Sequence, residues 1–241
     1  GLKAVTLELR AGQIVGLAGV SGNGQAALAE IIGGLALPQS GRITLKDIVV
    51  ADWSPGVALA KGVARIPEDR HHQGSIADFD LTENAVLESY RSRFSARGWM
   101  NWRAARAFAE TIIADYDVRC PGPDTSIRLL SGGNMQKLIL GRAMSGSPKT
   151  GGPEIILANQ PVRGLDVGAI AYVQAQLIAA RDRAASVLLI SEDLDEIMGL
   201  SDVIHVISQG RLSPGFARGT MTAADLGLWM AGQKFEGADA A

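Results

Sequence analysis

Hydrophobic and polar residues alternate over Val5-Thr6-Leu7-Glu8-Leu9, the period-two pattern of a half-exposed β-strand. Ala11-Gly12 reads as a turn, and Gln13 to Ala18 follows as an apolar run of buried-strand length. A glycine-rich turn, Gly19 to Gly24, leads into a helical segment from Ala26 to Ile32 that Gly33-Gly34 closes. Gly41 to Leu45 predicts another strand, followed by a loop with Pro55. Val63 to Pro67 predicts a strand running into a polar loop, Glu68 to Gly74. From about Leu81 to Met144 the periodicity is helical, with apolar positions at helical spacing over Ala104 to Tyr116. Leu138 to Met144 continues a helix begun after Ser131-Gly132-Gly133. Strands return at Glu154 to Ala158, Ser186 to Ile190 and Val203 to Ile207, and a helix from Val167 to Arg183 separates the first two. Strand, long helix, strand predicts a right-handed parallel crossover. After Gly219 the chain reads as helix to Met230, then as a frayed tail, Gly237 to Ala241.

This is the pattern of an α/β core interrupted by a helical insert. With 241 residues, 47% of them hydrophobic, and a mean hydropathy of +0.14, the chain can build a sizeable core. A 20% charged fraction and a net charge of −2 exclude a disordered polyelectrolyte and a basic nucleic-acid binder. The single cysteine, Cys120, excludes a disulfide scaffold and is read as structural or incidental. The three histidines do not suggest a metal site, and His71 and His72 are read as a solvated loop. Trp99 and Trp102 are expected to pack the helical insert rather than stack on a base. No apolar run approaches the ~18–20 residues of a membrane helix, and with no basic segment followed by an apolar stretch at the start, no secretory signal is expected. Because Gly1 rather than Met comes first and a strand follows almost at once, the chain is expected to be a piece of a longer polypeptide.

The first candidate chemistry is Gly19-Val20-Ser21-Gly22-Asn23-Gly24-Gln25-Ala26, between a buried strand and a helix. Helix N-terminal N–H groups carry partial positive charge, and glycines let the backbone wrap an anion. The spacing Gly19-x4-Gly24 fits a phosphate-binding loop, but Gln25 stands where lysine reaches the phosphates and Ala26 where Ser or Thr holds Mg²⁺. Gly22-x-Gly24-x-x-Ala27, with Asp47 further on, also fits a dinucleotide-binding fingerprint, so this loop alone leaves two readings open.

A second glycine segment, Leu130-Ser131-Gly132-Gly133-Asn134, opens a helix that Ser131 can cap, giving a second anion-facing N-terminus. It resembles the signature motif of ATP-binding-cassette (ABC) ATPases, with Asn134 in place of the usual glutamine. In the same order as in that family, Ile66-Pro67-Glu68-Asp69-Arg70 occupies the Q-loop and Ile155 to Pro161 resembles a Walker B strand. Arg163-Gly164-Leu165-Asp166 resembles the D-loop, and Ile190-Ser191-Glu192-Asp193 stands at the switch-histidine strand. The resemblance covers nearly the whole chain. It is closest to the second cassette of tandem importers of simple sugars and nucleosides.

The resemblance implies a P-loop NTPase (RecA-like) parallel-sheet core, a small antiparallel β portion and an inserted α-helical subdomain. It implies a single cassette: core over 1–80 and 146–212, helical subdomain over 81–145, and C-terminal helix and tail over 213–241. In such cassettes each ATP, with Mg²⁺, lies between the P-loop of one cassette and the signature of another. The nucleotide-binding set here would be Gly19, Val20, Ser21, Gly22, Asn23, Gly24, Gln25, Ala26, Glu68 and Asn159. Departures gather on that site: Gln25 for lysine, Ala26 and Asn159 for Mg²⁺ ligands, Gln160 for the glutamate that activates water, Glu192 for the switch histidine and Glu68 for glutamine. An amide cannot accept a proton from water as a carboxylate can. The partner-facing set, Leu130, Ser131, Gly132, Gly133, Asn134, Gly164, Leu165 and Asp166, is present. The expected role is therefore that of a signature donor with a degenerate site of its own, the isolated domain being weak or inactive in ATP hydrolysis. A self-sufficient ATPase and a structural or regulatory module independent of nucleotide are the rival readings. The implied partners are another cassette, membrane-spanning permease subunits met at Glu68 to Phe79, and indirectly a solute-binding protein, with no nucleic acid. The implied location is the cytoplasmic face of a bacterial membrane.

Overall fold

In the computed structural model, residues 1–145 and 152–235 are described. The expected boundary at residue 146 and the expected fraying of 237–241 lie outside them. The chain divides into two compact units: Gly1–Arg65, Glu154–Gln160 and Leu177–Ala241 form the first, Ile66–Pro153 and Pro161–Gln176 the second.

The first unit is built on a sheet. Its inner strands are β1 (Ile14–Ala18), β7 (Ile155–Asn159), β8 (Ser186–Ser191) and β9 (Val203–Ser208). β1 and β8 are buried throughout, which accounts for their continuous apolar runs. β8 pairs with β1 and with β7, and β1 with β9, all in parallel. With β4 (Val63–Ile66) beyond β7, and β10 (Arg211–Leu212) and β11 (Phe216–Ala217) antiparallel to β9, the described residues form a seven-stranded sheet. Helix α1 (Gln25–Ile32) follows β1, and α7 (Leu194–Leu200) runs from β8 back to β9. At Gly16 the chain needs glycine because α7 passes so close: an added Cβ would collide with Ser201 and press Ile197.

Several expectations need correction here. Val5 to Leu9 alternates in burial, and Val5, Leu7 and Leu9 pack on the core under β1, yet no strand forms. Period-two burial reports a one-sided packing surface, and that does not require a ladder partner. Of Gly41 to Leu45 only β2 (Thr44–Leu45) is strand, paired antiparallel with β3 (Ile48–Val49). Pro55 does not sit in a loop: it is the first residue of α2 (Pro55–Ala60), capped by the Ser54 side chain. The C-terminal helix is α8 (Ala223–Met230), with Thr222 and Asp225 forming a capping box.

The second unit is helical. α3 (Leu81–Val86), α4 (Trp102–Asp115) and α5 (Gly132–Met144) pack around Leu81, Ala109, Ile112, Met135, Leu138 and Ile139. Between α3 and α4 lie a π-turn (Tyr90–Phe94) and a small hairpin of β5 (Ser95–Ala96) and β6 (Trp99–Met100). Trp99 and Trp102 do not pack this unit, being 82% and 53% exposed. Trp99 lies next to the hairpin turn, and Trp102 is the first residue of α4, where few neighbours are available to cover it. The remaining helix, α6 (Val167–Asp182), follows the 161–166 loop.

Candidate functional site

The parallel register sets three chain crossings side by side in the first unit. Ala18 is opposite Ser191, and Ile190 is opposite Asn159. The 19–24 loop, Glu192 and the Asn159-Gln160 pair therefore all emerge at the carboxyl ends of adjacent strands, where open α/β sheets hold ligands.

The loop has the backbone of an anion cradle. Gly22 and Gly24 take positive φ of 87° and 120°, and no side chain caps α1 at Gly24, so its first-turn N–H groups are available. A turn on the far side steadies the loop. Gln209 N donates to Asn23 Oδ1 at 2.8 Å, and Gly210 N to Asn23 O at 2.8 Å.

Gln25 does not act as a cation would. It is 8% exposed, and its Nε2 donates to Val20 O at 2.9 Å, within the loop. The same carbonyl accepts from Asn23 Nδ2 at 3.0 Å. Gln25 Oε1 is buried and has no donor among the described residues. Gly19 is required beside it, since an added Cβ would stand 2.6 Å from Gln25 Nε2. An ammonium at this position would contribute a full charge to an anion in the loop, whereas the amide contributes a dipole already engaged with backbone.

The backbone thus fits a phosphate chain, but the side chains do not fit Mg²⁺. Ala26 is exposed and carries no oxygen, and Asn159 offers a neutral amide where an anionic ligand is needed. No group of three or more His, Cys, Asp or Glu among the described residues could hold a metal ion. Gln160 follows Asn159 with φ 48°, left-handed for a non-glycine residue, and its N donates to Ile190 O at 2.8 Å. Glu192 is exposed, and the next residue, Asp193, caps α7 by accepting from Asp195 N and Glu196 N.

The second unit holds the other set. Ser131 caps α5, its Oγ accepting from Asn134 N at 3.4 Å and from Asn134 Nδ2 at 3.0 Å. Asn134 Oδ1 in turn accepts from Arg119 N at 2.9 Å. Ser131 is exposed, and Gly132 and Gly133 follow it in the first turn. An added Cβ at Gly133 would lie 3.7 Å from Asp166 Oδ2, so the 131–133 segment and Asp166 are neighbours. Asp166 caps α6 through Ala169 N at 2.9 Å.

Sequence reasoning underrated two arginines. Arg70 Nη1 donates to Arg163 O at 2.9 Å and its Nη2 lies 3.5 Å from Gly164 O, while an added Cβ at Gly132 would be 3.5 Å from Arg70 Nε. Arg163 pairs with Glu68. Glu68, Arg70, the 163–166 loop and the start of α5 are therefore one connected group. Arg142, buried in α5, donates to Asn84 O at 3.0 Å and Gly74 O at 2.9 Å. Asn84 is wholly buried and bonds Ile76 N at 2.9 Å and Asp80 O at 2.9 Å. No single-residue signal in the sequence marks Arg142 or Asn84. Only their lone polarity on apolar helical faces could have flagged them.

Two glycine-opened helices, one on a sheet and one on a helical unit, now stand with their surroundings defined. A sequence profile described as "ABC transporter" matches residues 2–150. The chain belongs to the ABC transporter family. It is 43% identical over 232 residues to the guanosine import ATP-binding protein NupO of Bacillus subtilis, covering 96% of this chain and 44% of that protein. It is 38% identical to the nucleoside import ATP-binding protein NupA of Lactococcus lactis, covering 96% of this chain and 45% of that one. The ribose import ATP-binding protein RbsA of Bacillus licheniformis is 32% identical, with 90% of this chain and 43% of that protein covered. The cassette spans less than half the length of these relatives. Among solved structures, a dimeric bacterial ABC transporter cassette, MJ0796, superposes with a TM-score of 0.73 at 22% identity, covering 91% of each chain. A nucleotide-free cassette superposes equally well at 18% identity, covering 90% of this chain and 85% of that one. These likenesses establish the α/β cassette fold with its helical subdomain. No helix among the described residues is long and apolar enough to cross a membrane.

Proposed function

We propose that this cassette is the ATP-binding motor part of an importer of simple sugars or nucleosides. In this reading it completes the ATP site of a partner cassette while its own site is degenerate. The observation that carries the reading is the contrast at Gln25 and Ser131. Gln25 is turned into its own loop at Val20 O, with no charge to offer, whereas Ser131 caps α5, is exposed and is supported by Asn134. The names of the relatives support the solute class. The coverage of under half their length supports one cassette of a tandem protein. Residues 81–145 are assigned to the helical subdomain, with α5 as its signature helix.

ATP bound between two cassettes supplies the free energy of γ-phosphate transfer to water. Ser131 Oγ and the N–H groups of Gly132 and Gly133 bind and orient the phosphate presented by the partner. Asp166 holds the start of α6 beside them, and Arg70 keeps the 163–166 loop against α5. On this chain's own side, the 19–24 backbone still accepts phosphate oxygens. Gln160 cannot take a proton from water, and no Mg²⁺-dependent step is assigned there. Permease subunits would dock at Glu68 to Phe79, on the cytoplasmic face of the membrane. Ile76 and Phe79, 42% and 36% exposed, give that loop apolar contact area, and Asn84 and Arg142 keep it rigid. Charge reversal at Asp78, paired with Arg128, tests this docking more cleanly than reversal at Arg70, which supports the 163–166 loop. Transport left intact by Asp78→Lys would count against the assignment.

The isolated cassette with ATP and Mg²⁺ should bind weakly and turn over at background. Gln25→Lys restores one charge-assisted contact of ~1.5–3 kcal/mol and should tighten ATP about ten- to a hundredfold, measured by titration calorimetry. Robust hydrolysis by the unmodified chain would overturn the degenerate-site reading.

A further inference from the structure

The stretch from Ser89 to Ala109 contains five arginines (Arg91, Arg93, Arg97, Arg103 and Arg106) and no carboxylate, in a chain whose net charge is −2. The β5–β6 hairpin sits inside it. Arg97 and Gly98 form its turn, both left-handed at φ 51° and 84°. One side of the hairpin is anchored. Phe94 is buried with Val86 and Ala105, Met100 and Phe108 pack against them, and Asn101 N donates to Phe94 O at 2.7 Å. Asn101 also caps α4 through Ala104 N at 3.0 Å.

The other side has no such use. Trp99, Trp102 and Tyr90 are 82%, 53% and 42% exposed. Three arginines have partners: Arg93 stacks 4.5 Å from the Phe108 ring, Arg91 lies 5.9 Å over the exposed Tyr90 ring, and Arg106 pairs with Glu110 and Asp124. Arg91, Arg97 and Arg103 are exposed, and no carboxylate among the described residues lies within ion-pair distance of them. Exposed indoles beside uncompensated guanidiniums on a rigidly anchored hairpin are a surface made for something else.

We propose that the β5–β6 hairpin and the first turn of α4 dock onto the headgroup layer of an anionic phospholipid bilayer. Charge complementarity selects this occupant. Guanidiniums pair with lipid phosphates, and indole and phenol rings settle at headgroup depth, where one edge is apolar and the other wet. This inference goes beyond the signature-donor reading and does not depend on it.

The test is co-sedimentation of the full chain with vesicles of phosphatidylcholine alone and of an equimolar mixture of phosphatidylcholine and phosphatidylglycerol. The chain should bind the anionic vesicles, more weakly as salt rises, and leave the neutral ones in the supernatant. Each arginine contributes about fivefold to partitioning, so R91E/R97E/R103E, which removes three positive charges and adds three negative ones, should lower it by at least about a hundredfold. W99S/W102S should also lower it and abolish a blue shift of tryptophan emission on binding. These side chains are exposed, so circular dichroism should be unchanged; if the triple variant misfolds, R97E at the turn alone carries the charge test. Equal binding to both vesicle types, binding unaffected by either set of variants, or no binding at all would overturn the proposal. Capture by polyglutamate but not by vesicles would overturn it in favour of an acidic polypeptide partner.

Discussion

Asn134 stands where the signature resemblance expects glutamine, in the first turn of α5, and both ends of its amide are used. Nδ2 reaches Ser131 Oγ at 3.0 Å and Oδ1 takes Arg119 N at 2.9 Å. The shorter side chain is suited to holding the capping serine in place. Asn134→Ala should therefore cost ~1 kcal/mol in urea unfolding, the worth of a lost hydrogen bond, and lower the ATPase of a mixed cassette pair. Arg142 carries more. Its buried guanidinium serves two backbone carbonyls and lies 3.7 Å from Glu88, so Arg142→Ala leaves several buried groups without their cation. Removing one member of such an arrangement costs ~3–5 kcal/mol, which chemical unfolding would read directly.

At the scale of elements, α4 and α5 meet at Gly141. An added Cβ there would stand 2.5 Å from Ile112 Cγ2 and 2.9 Å from Tyr116 Cδ2. Gly141→Ala should destabilise the second unit by ~1–3 kcal/mol through overpacking, despite alanine's better helix propensity. The 68–74 turn is held differently. The Asp69 carboxylate accepts from His72 N and His71 N at 2.9 Å, and these bonds, that of His72 foremost, hold its pKa below the usual range. A depressed carboxylate stabilises above its unfolded pKa and loses that stabilisation as pH falls through its folded value. Amide exchange at His71 and His72 should thus stay protected near neutrality and rise only below about pH 4.

Long, strongly patterned elements were legible from the sequence. Continuous apolar runs gave the buried parallel strands, and helical spacing gave α4, α5 and α6. What was missed was short and locally ambiguous. The hairpin at Ser95 to Met100 depends on two left-handed residues, and only one of them, Gly98, announces that conformation. α2 begins with Ser54 and Pro55, a valid start signal that is easily mistaken for a loop. Trp99 and Trp102 looked like core because of their composition, but burial depends on neighbours that hydropathy cannot supply. For the site, the glycine loops could be seen, but the support behind them could not. Arg70 on Arg163 O and Asn84 on the 76–80 backbone are long-range pairings with no fixed sequence spacing.

Across the whole molecule, the roles proposed here separate by unit. Gln25, Ala26, Asn159, Gln160 and Glu192 belong to the first, and Ser131, Gly132, Gly133 and Asp166 to the second. In the proposed reading the departures fall on the first set, with Glu68 of the second unit the exception, while the second set keeps a capping serine, two glycines and a supported aspartate. The central claim is that this cassette works for another cassette's ATP. It is tested most directly by mixing the chain with a cassette that has an intact phosphate lysine and Walker B glutamate, then measuring Mg²⁺-dependent ATPase with and without Ser131→Arg. The account predicts stimulation by the unmodified chain and its loss, by about a hundredfold or more, when arginine fills the phosphate-facing turn, with stability lowered only by the ~1 kcal/mol of the lost helix cap. Equal stimulation by the variant would contradict it.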